Sequence, residues 1–392
     1  MTFLMLSRTR VAGGAAVLLA LLGGCDSLYR TYDNAFGSGP ILKPAALPAI
    51  QSTATMKVLW QASVGSGEKQ VFYPVVSGKV VYAAGASGNV TGFDAASGQQ
   101  VMRAEAGQRI SGGVGFGAGL VLLGTPRGEV LAFERGGKSV WKTQLPGEVL
   151  APPEAQEGIV VARAGDGRVY GLDAATGKQK WQYQRTTPAL TVRTNAGVVI
   201  DRGGVFVGFS GGRLVALSLT TGNIGWDSIV ALPRGTTELE RVADITSLPV
   251  IDGQQICAAA FQGRVACLDA SRGTLTWTRD ISSASGLAVD ARNVYVADDK
   301  GAVVALDKTT GASLWRQDKL LNRQVSGPLV VGRFVVVGDL EGYVHLVSRE
   351  DGAFAARLAT DGSAISAPPV AIDSSSFVVQ TRKGGVYAIT VQ

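Results

Sequence analysis

A glycine recurs along this chain like a ruler mark, at Gly88, Gly128, Gly167, Gly212, Gly263, Gly301, Gly342 and Gly384, with intervals of 40, 39, 45, 51, 38, 41 and 42 residues. A second glycine follows ten residues later in the first seven copies (nine in the second): Gly98, Gly137, Gly177, Gly222, Gly273, Gly311 and Gly352. Four residues beyond it stand Met102, Trp141, Trp181, Trp226, Trp277, Trp315 and, in the seventh copy, Ala356. One rule therefore places five of the six tryptophans. A repeat of roughly 40 residues cannot bury its own faces and must stack on its neighbours. The repeats consist of short strands and turns, with no sustained amphipathic helix after residue 55, and that is the pattern of a β-propeller.

The clearest copy is Val161–Trp181, VARAGDGRVYGLDAATGKQKW. An apolar run leads into a turn at Asp166-Gly167, a second strand follows, and Asp173–Gly177 turns into the strand that reaches Trp181. Asp94, Asp173, Asp269 and Asp307 suit their turns because a short carboxylate accepts backbone hydrogen bonds there. A further strand precedes each copy, as in Leu248–Ile251 and Gly327–Val330, giving four strands per unit. The last unit has only three strands, and Met56–Ser63, carrying Trp60, is available as the fourth. The expectation is an all-β, eight-bladed β-propeller over residues 56–392, with four antiparallel strands per blade and the last blade closed by the N-terminal strand. The tryptophans are expected to pack between neighbouring blades.

Glycine is about twice as frequent as usual, 52 in 392 residues, as a turn-dense chain requires. The net charge of +6 is mild and carries no basic run, which argues against nucleic-acid binding. Arg8 and Arg10 precede a short apolar stretch, Val11–Leu22, that ends in Leu22-Gly23-Gly24-Cys25. Residues 1–24 resemble a bacterial lipoprotein signal peptide, which implies acylation of Cys25 and a membrane anchor. Residues 25–55 read as a flexible tether, Pro/Ala-rich towards its end. Asp26 follows Cys25, and in enteric-type sorting an aspartate there implies retention at the inner membrane.

Cys257 and Cys267 fall opposite each other across a hairpin with a turn at Phe261–Gly263. They are either a disulfide, which an oxidising compartment allows, or two inert thiols. Chemistry is otherwise sparse. His345 is the single histidine and lies at a strand position, with no nucleophile elbow to support a triad. Ser111–Gly119, SGGVGFGAG, is glycine-rich but opens no helix, so it lacks what a phosphate loop needs. No metal site and no cofactor site can be assigned.

The repeat core, GLDAATGKQKW (171–181) and ALDKTTGASLW (305–315), resembles the pyrroloquinoline-quinone dehydrogenase repeat. The vicinal cysteines and calcium cluster of those enzymes are not found here, so a quinoprotein dehydrogenase is the alternative reading; a carbohydrate-binding propeller is a third. The whole chain resembles the BamB family more closely, the propeller lipoproteins of the machine that folds outer-membrane β-barrels. The segment Gly235–Val250, GTTELERVADITSLPV, carries the likeness, with Asp318–Arg323 and Val337–Tyr343. The same segment causes the 51-residue interval, and extra length in a repeat protein goes to loops on one face.

The resemblance implies a non-catalytic scaffold without cofactor, anchored at the periplasmic face of the outer membrane. Its partners would be the periplasmic domains of BamA, other members of the complex and unfolded outer-membrane proteins. The BamA contact maps onto Leu190, Val192 and Arg193 in one loop and onto Asp244, with Arg241, in the next. Leu190 and Val192 would supply apolar contact, and Arg193 and Asp244 polar pairs with the partner. Packing within a blade remains the other role for Leu190 and Val192, and a solvated turn for Asp244. Thr246 stands where the family has a second aspartate.

Overall fold

Short apolar runs between turn glycines form strands. The computed structural model, which describes residues 43–188 and 190–392, contains thirty-two of them and no helix among the described residues. They group in fours. Residues 75–105, 112–144, 154–183, 199–229, 250–279, 287–317 and 329–359 each form a meander of four antiparallel strands, units one to seven. The eighth unit takes three strands from residues 370–391 and its outermost from Met56–Ser63, which pairs with Gly385–Val391 and sets Trp60 opposite Ala388. A single parallel bridge, Ala155 to Gly117, links units two and three into one eight-stranded sheet.

Each unit is apolar on both faces, so its two middle strands read as near-continuous valine, leucine and alanine. Separate cores join every consecutive pair of units. Another core, with Trp60, Val81, Phe93, Val378 and Ala388, joins the eighth unit to the first.

The tryptophan rule and the second-glycine rule have one cause. Each tryptophan donates its indole N–H to a carbonyl of the next unit: Trp60 to Ala95, Trp141 to Ala174, Trp181 to Leu219 and Trp277 to Lys308, all at 2.8 Å. Its ring then lies on the second glycine of that unit. A Cβ at Gly222 would sit 2.6 Å from Trp181, and Gly222 has φ +71°. Ala356 breaks the rule because the unit after it has no second glycine. There the backbone N–H groups of Thr53 and Ala54 bond instead to the carbonyl of Ala355. The first glycine rule has one exception: in unit five Gln262 takes the positive φ (49°), and Gly263 is needed for space, 2.7 Å from the Cβ of Ala231.

The chain divides after Pro44, and residues 45–392 form one body. The expected signal peptide, residues 1–24, and the expected acylation site, Cys25, lie outside the described residues. Residues 45–55, expected to belong to the flexible tether, are held against the last units. Ala45 donates its N–H to Leu321 and accepts from Arg323, both at 2.9 Å, and Arg357 donates to the carbonyl of Pro48 at 3.1 Å. These arginines belong to a buried cluster. Asp339 accepts from Arg323 at 2.7 Å and lies 2.8 Å from Nε2 of His345, while Arg357 donates to Nδ1 of His345 at 3.3 Å. Cations beneath the surface need acceptors, and the carbonyls of residues 45 and 48 supply them. His345 is thus a structural strand residue whose pKa burial pushes down.

A candidate partner-docking surface

Two long connections lie side by side: residues 184–198, entering unit four, and 230–249, entering unit five. Asp244 joins them. One carboxylate oxygen accepts the Val192 N–H at 2.7 Å and the other accepts the Gly211 N–H at 3.0 Å. The Asp244 carbonyl accepts from Phe261 at 2.8 Å. Thr194 donates to the carbonyl of Thr246 at 2.9 Å, and Thr246 donates to Ala284 at 3.2 Å, extending the chain of contacts to the entrance of unit six.

This arrangement corrects the expected role of Asp244. It is only 2 % exposed, and both carboxylate oxygens are occupied within the protein. Forming a polar pair with a partner is not open to it in this geometry; it positions the Val192 segment. Thr246 likewise uses its hydroxyl inward. The charge of Asp244 is offset by Arg163, which sequence reasoning missed. Arg163 is buried, lies 5.5 Å over the ring of Phe209 and donates to the carbonyl of Ala196 at 3.0 Å. Burial pushes its pKa down to about 10, against the attraction of Asp244. Its only sequence signal is a charge closing the apolar run Ile159–Arg163.

The other expected residues face solvent to different degrees. Leu190 is 39 % exposed, and Val192 is half-buried. Arg193 is exposed but engaged: its Nε and Nη2 donate to the two carboxylate oxygens of Glu148 at 3.0 and 2.8 Å, which raises its pKa. An exposed pair of this kind is worth about 0–1 kcal/mol, so a partner carboxylate can displace Glu148 at little cost. Arg241 donates from Nε to the carbonyl of Gly235 at 3.1 Å, and its Nη1 lies 3.8 Å from the exposed carboxylate of Glu238. Its loop is rigid for a local reason. Glu240 accepts the N–H groups of Thr236 and Thr237 at 2.8 and 3.1 Å, while Thr237 accepts the Glu240 N–H at 3.2 Å, a reciprocal cap. That cap presents Leu239, 69 % exposed; Leu232, in the same connection, is 60 % exposed. Beneath Arg193 lies a cavity of about 180 Å³, lined by Glu148, Arg163, Val192, Thr194 and Phe209.

Cys257 and Cys267 are disulfide-bonded across directly opposed strand positions, with Cα atoms 4.1 Å apart. Among the described residues no group of three His, Cys, Asp or Glu side chains is placed to hold a metal.

Serial β-meanders with apolar faces, joined by loops that expose leucine and arginine, define a propeller. Comparison with known proteins places it further. The family profile described as outer membrane protein assembly factor BamB matches residues 86–317 and 299–392. The chain is 45 % identical to the BamB of Nitrosomonas eutropha over 96 % of its own length and 93 % of the relative's. It is 43 % identical to that of Burkholderia pseudomallei over 88 % and 90 %. The chain belongs to the BamB family. Among solved structures, BamB from Moraxella catarrhalis superposes with a TM-score of 0.79 at 27 % identity, over 86 % of this chain and all of that one. A quinohemoprotein alcohol dehydrogenase from Comamonas testosteroni reaches 0.70 at 14 % identity, over 86 % and 76 %, a likeness of fold alone.

Proposed function

We propose that this protein is a non-catalytic scaffold of the outer-membrane protein assembly complex and docks on the periplasmic domains of BamA through its two joined loops. Leu190, with the outward leucines of the neighbouring loop, supplies apolar contact. Arg193 exchanges Glu148 for a carboxylate of the partner, and Arg241 adds a second cation. Asp244 and Val192 hold the shape of the surface. The observation that carries this reading is the pairing of whole-length similarity to the assembly-factor family with a loop surface made rigid from inside by one buried carboxylate. Rigidity matters because ordering a loose loop at binding would cost conformational entropy.

The rest of the reading follows the same family. The ring is a closed eight-bladed propeller; its support is the run of cores between consecutive units and the one between the eighth and the first. Residues 1–24 are a signal peptide, and Cys25 is the acylated anchor that holds residues 56–392 at the periplasmic face of the outer membrane. Unfolded outer-membrane proteins are bound by pairing with open strand edges. Leu190→Ala with Arg193→Ala tests the docking site: the acylated double variant should lose co-purification with BamA from native membranes at unchanged expression. Retention of an intact complex would refute the assignment.

A further inference from the structure

The glycine-rich stretch 111–119 has a structural use that leads to a second site. A Cβ at Gly115 would lie 1.7 Å from the carbonyl oxygen of Pro153, and one at Gly117 would lie 1.9 Å from that of Ala155. Only glycine lets the innermost strands of units two and three meet backbone to backbone, and that contact is the Ala155–Gly117 bridge. The bridge fixes its neighbours Phe116 and Glu154 on the wall of a cavity of about 250 Å³. The remaining wall includes Tyr73, Val114, Leu248 and Val370. These residues come from the innermost strands of units one, two, three and eight or from the turns that lead into them and into units four and five. The cavity therefore lies where the inner edges of the units converge.

The wall is mostly apolar, with Asn195 and Tyr73 as neutral polar residues and Glu154 as its one charge. The Glu154 carboxyl accepts a hydrogen bond from the Ile200 N–H, and no charged neighbour perturbs it. Water reaches the side chain, which is half-buried, yet desolvation pushes its pKa up to about 7. The other titratable group on the wall is Tyr73, whose phenol burial pushes up to about 12, so it stays neutral. Arg193 lines the adjoining mouth but is paired with Glu148. A half-buried carboxylate with no counter-ion can take up a proton or pair with a cation. A metal ion would need several oxygen ligands, and one carboxylate does not supply them. An organic ammonium needs only one, and its apolar body fits a wall of valine, leucine and two aromatic rings; Phe116 is already stacked on Tyr82 with Arg135 over it, which leaves Tyr73 as the ring whose face can attract a cation. The volume lies below the roughly 300–1,000 Å³ of sites for drug-sized ligands, which selects a small molecule.

We propose that this cavity binds small organic ammonium ions, with Glu154 as counter-ion and Tyr73 as the aromatic face. The cavity shares Asn195, Val198 and Leu248 with the ends of the two docking loops, but Glu154 lies outside them, so Glu154→Gln tests this proposal without altering a residue assigned to BamA docking. The test is calorimetric titration of the intact protein with phenethylammonium at about pH 8. Glu154→Gln keeps shape and removes charge; it should weaken binding at least about tenfold, the loss of one charge-assisted pair. Uncharged 2-phenylethanol should bind wild type at least about tenfold more weakly than the amine. Lowering the pH to about 5.5 cuts the ionised fraction of Glu154 from about 90 % to about 3 %, so wild-type affinity should fall about 30-fold. The Glu154→Gln variant should show no such dependence. Absence of binding by wild type at millimolar amine would overturn the proposal. So would equal affinity of wild type and Glu154→Gln, or of the amine and the alcohol.

Discussion

Removing the Asp244 carboxylate should free the surface that the docking model requires to be rigid. The carboxylate makes two charge-assisted hydrogen bonds, to the Val192 and Gly211 N–H groups, and each such bond contributes about 1.5–3 kcal/mol. Its loss also removes the attraction that offsets the charge of buried Arg163, which keeps its bond to the Ala196 carbonyl. The terms overlap, and the freed Val192 N–H finds water because its loop is half-exposed. Asp244→Ala should therefore cost about 3 kcal/mol, concentrated in this joint. Asp244→Asn should do little better, since its amide presents an N–H where an acceptor is needed. Amide hydrogen exchange reads the effect directly: a penalty of 3 kcal/mol speeds exchange at Val192 and Gly211 on the order of 100-fold. Trp181 in the neighbouring unit serves as control, because the bond from its indole N–H to Leu219 should be undisturbed. Co-purification with BamA is measured on the same variants. Lost binding with unchanged exchange would mean that Asp244 acts on the partner itself and would refute the positioning argument. Lost protection with full binding would show that loop shape is irrelevant to docking.

Other outcomes follow from the fold. Gly222→Ala puts a methyl 2.6 Å from Trp181 at φ +71°, so stability to urea should fall by about 2–4 kcal/mol, whereas Gly203→Ala, with nothing within 4 Å, should lose only the strain of its positive φ, about 1–2 kcal/mol. Replacing both Cys257 and Cys267 by serine opens a short loop and should cost on the order of 2–3 kcal/mol, read as a lower denaturation midpoint that a reducing agent reproduces in wild type. His345 has a folded pKa below its ordinary 6.5, so the unfolded chain takes up a proton that the folded one refuses; stability holds above pH 6.5 and declines as pH falls towards the depressed value. Glu154, with its raised pKa, contributes the opposite slope in this window, so the readout is the difference in urea midpoint between wild type and His345→Gln, which should shrink from about pH 7.5 to 5.5; a constant difference would remove His345 as the source of the decline.

Glycine spacing, turn aspartates and alternating apolar runs are local signals, and they were enough to find strands, turns and the four-strand grouping. The tryptophan rule was legible too, although its reason was not: the glycine of one unit is required by the indole of the unit before it, a contact between residues about 40 apart. The candidate loops were found by excess length and family likeness, and Leu190 and Arg193 do lie at the surface. Asp244 and Arg163 could not be placed that way. Whether a carboxylate in a loop faces water or a backbone amide depends on what packs beside it.

The sequence by itself determined the repeat, because each turn needs its glycine or aspartate whatever lies elsewhere. Only the tertiary structure decided which polar groups meet. Val192 and Asp244 are 52 residues apart, and the segment at residues 45–48 reaches arginines about 280 and 310 positions away. Hydrogen bonds and burial are short-ranged in space and blind to distance along the chain. So Asp244 became a joint, Glu154 a lone charge among apolar walls, and His345 a buried strut, only once the sheets had stacked.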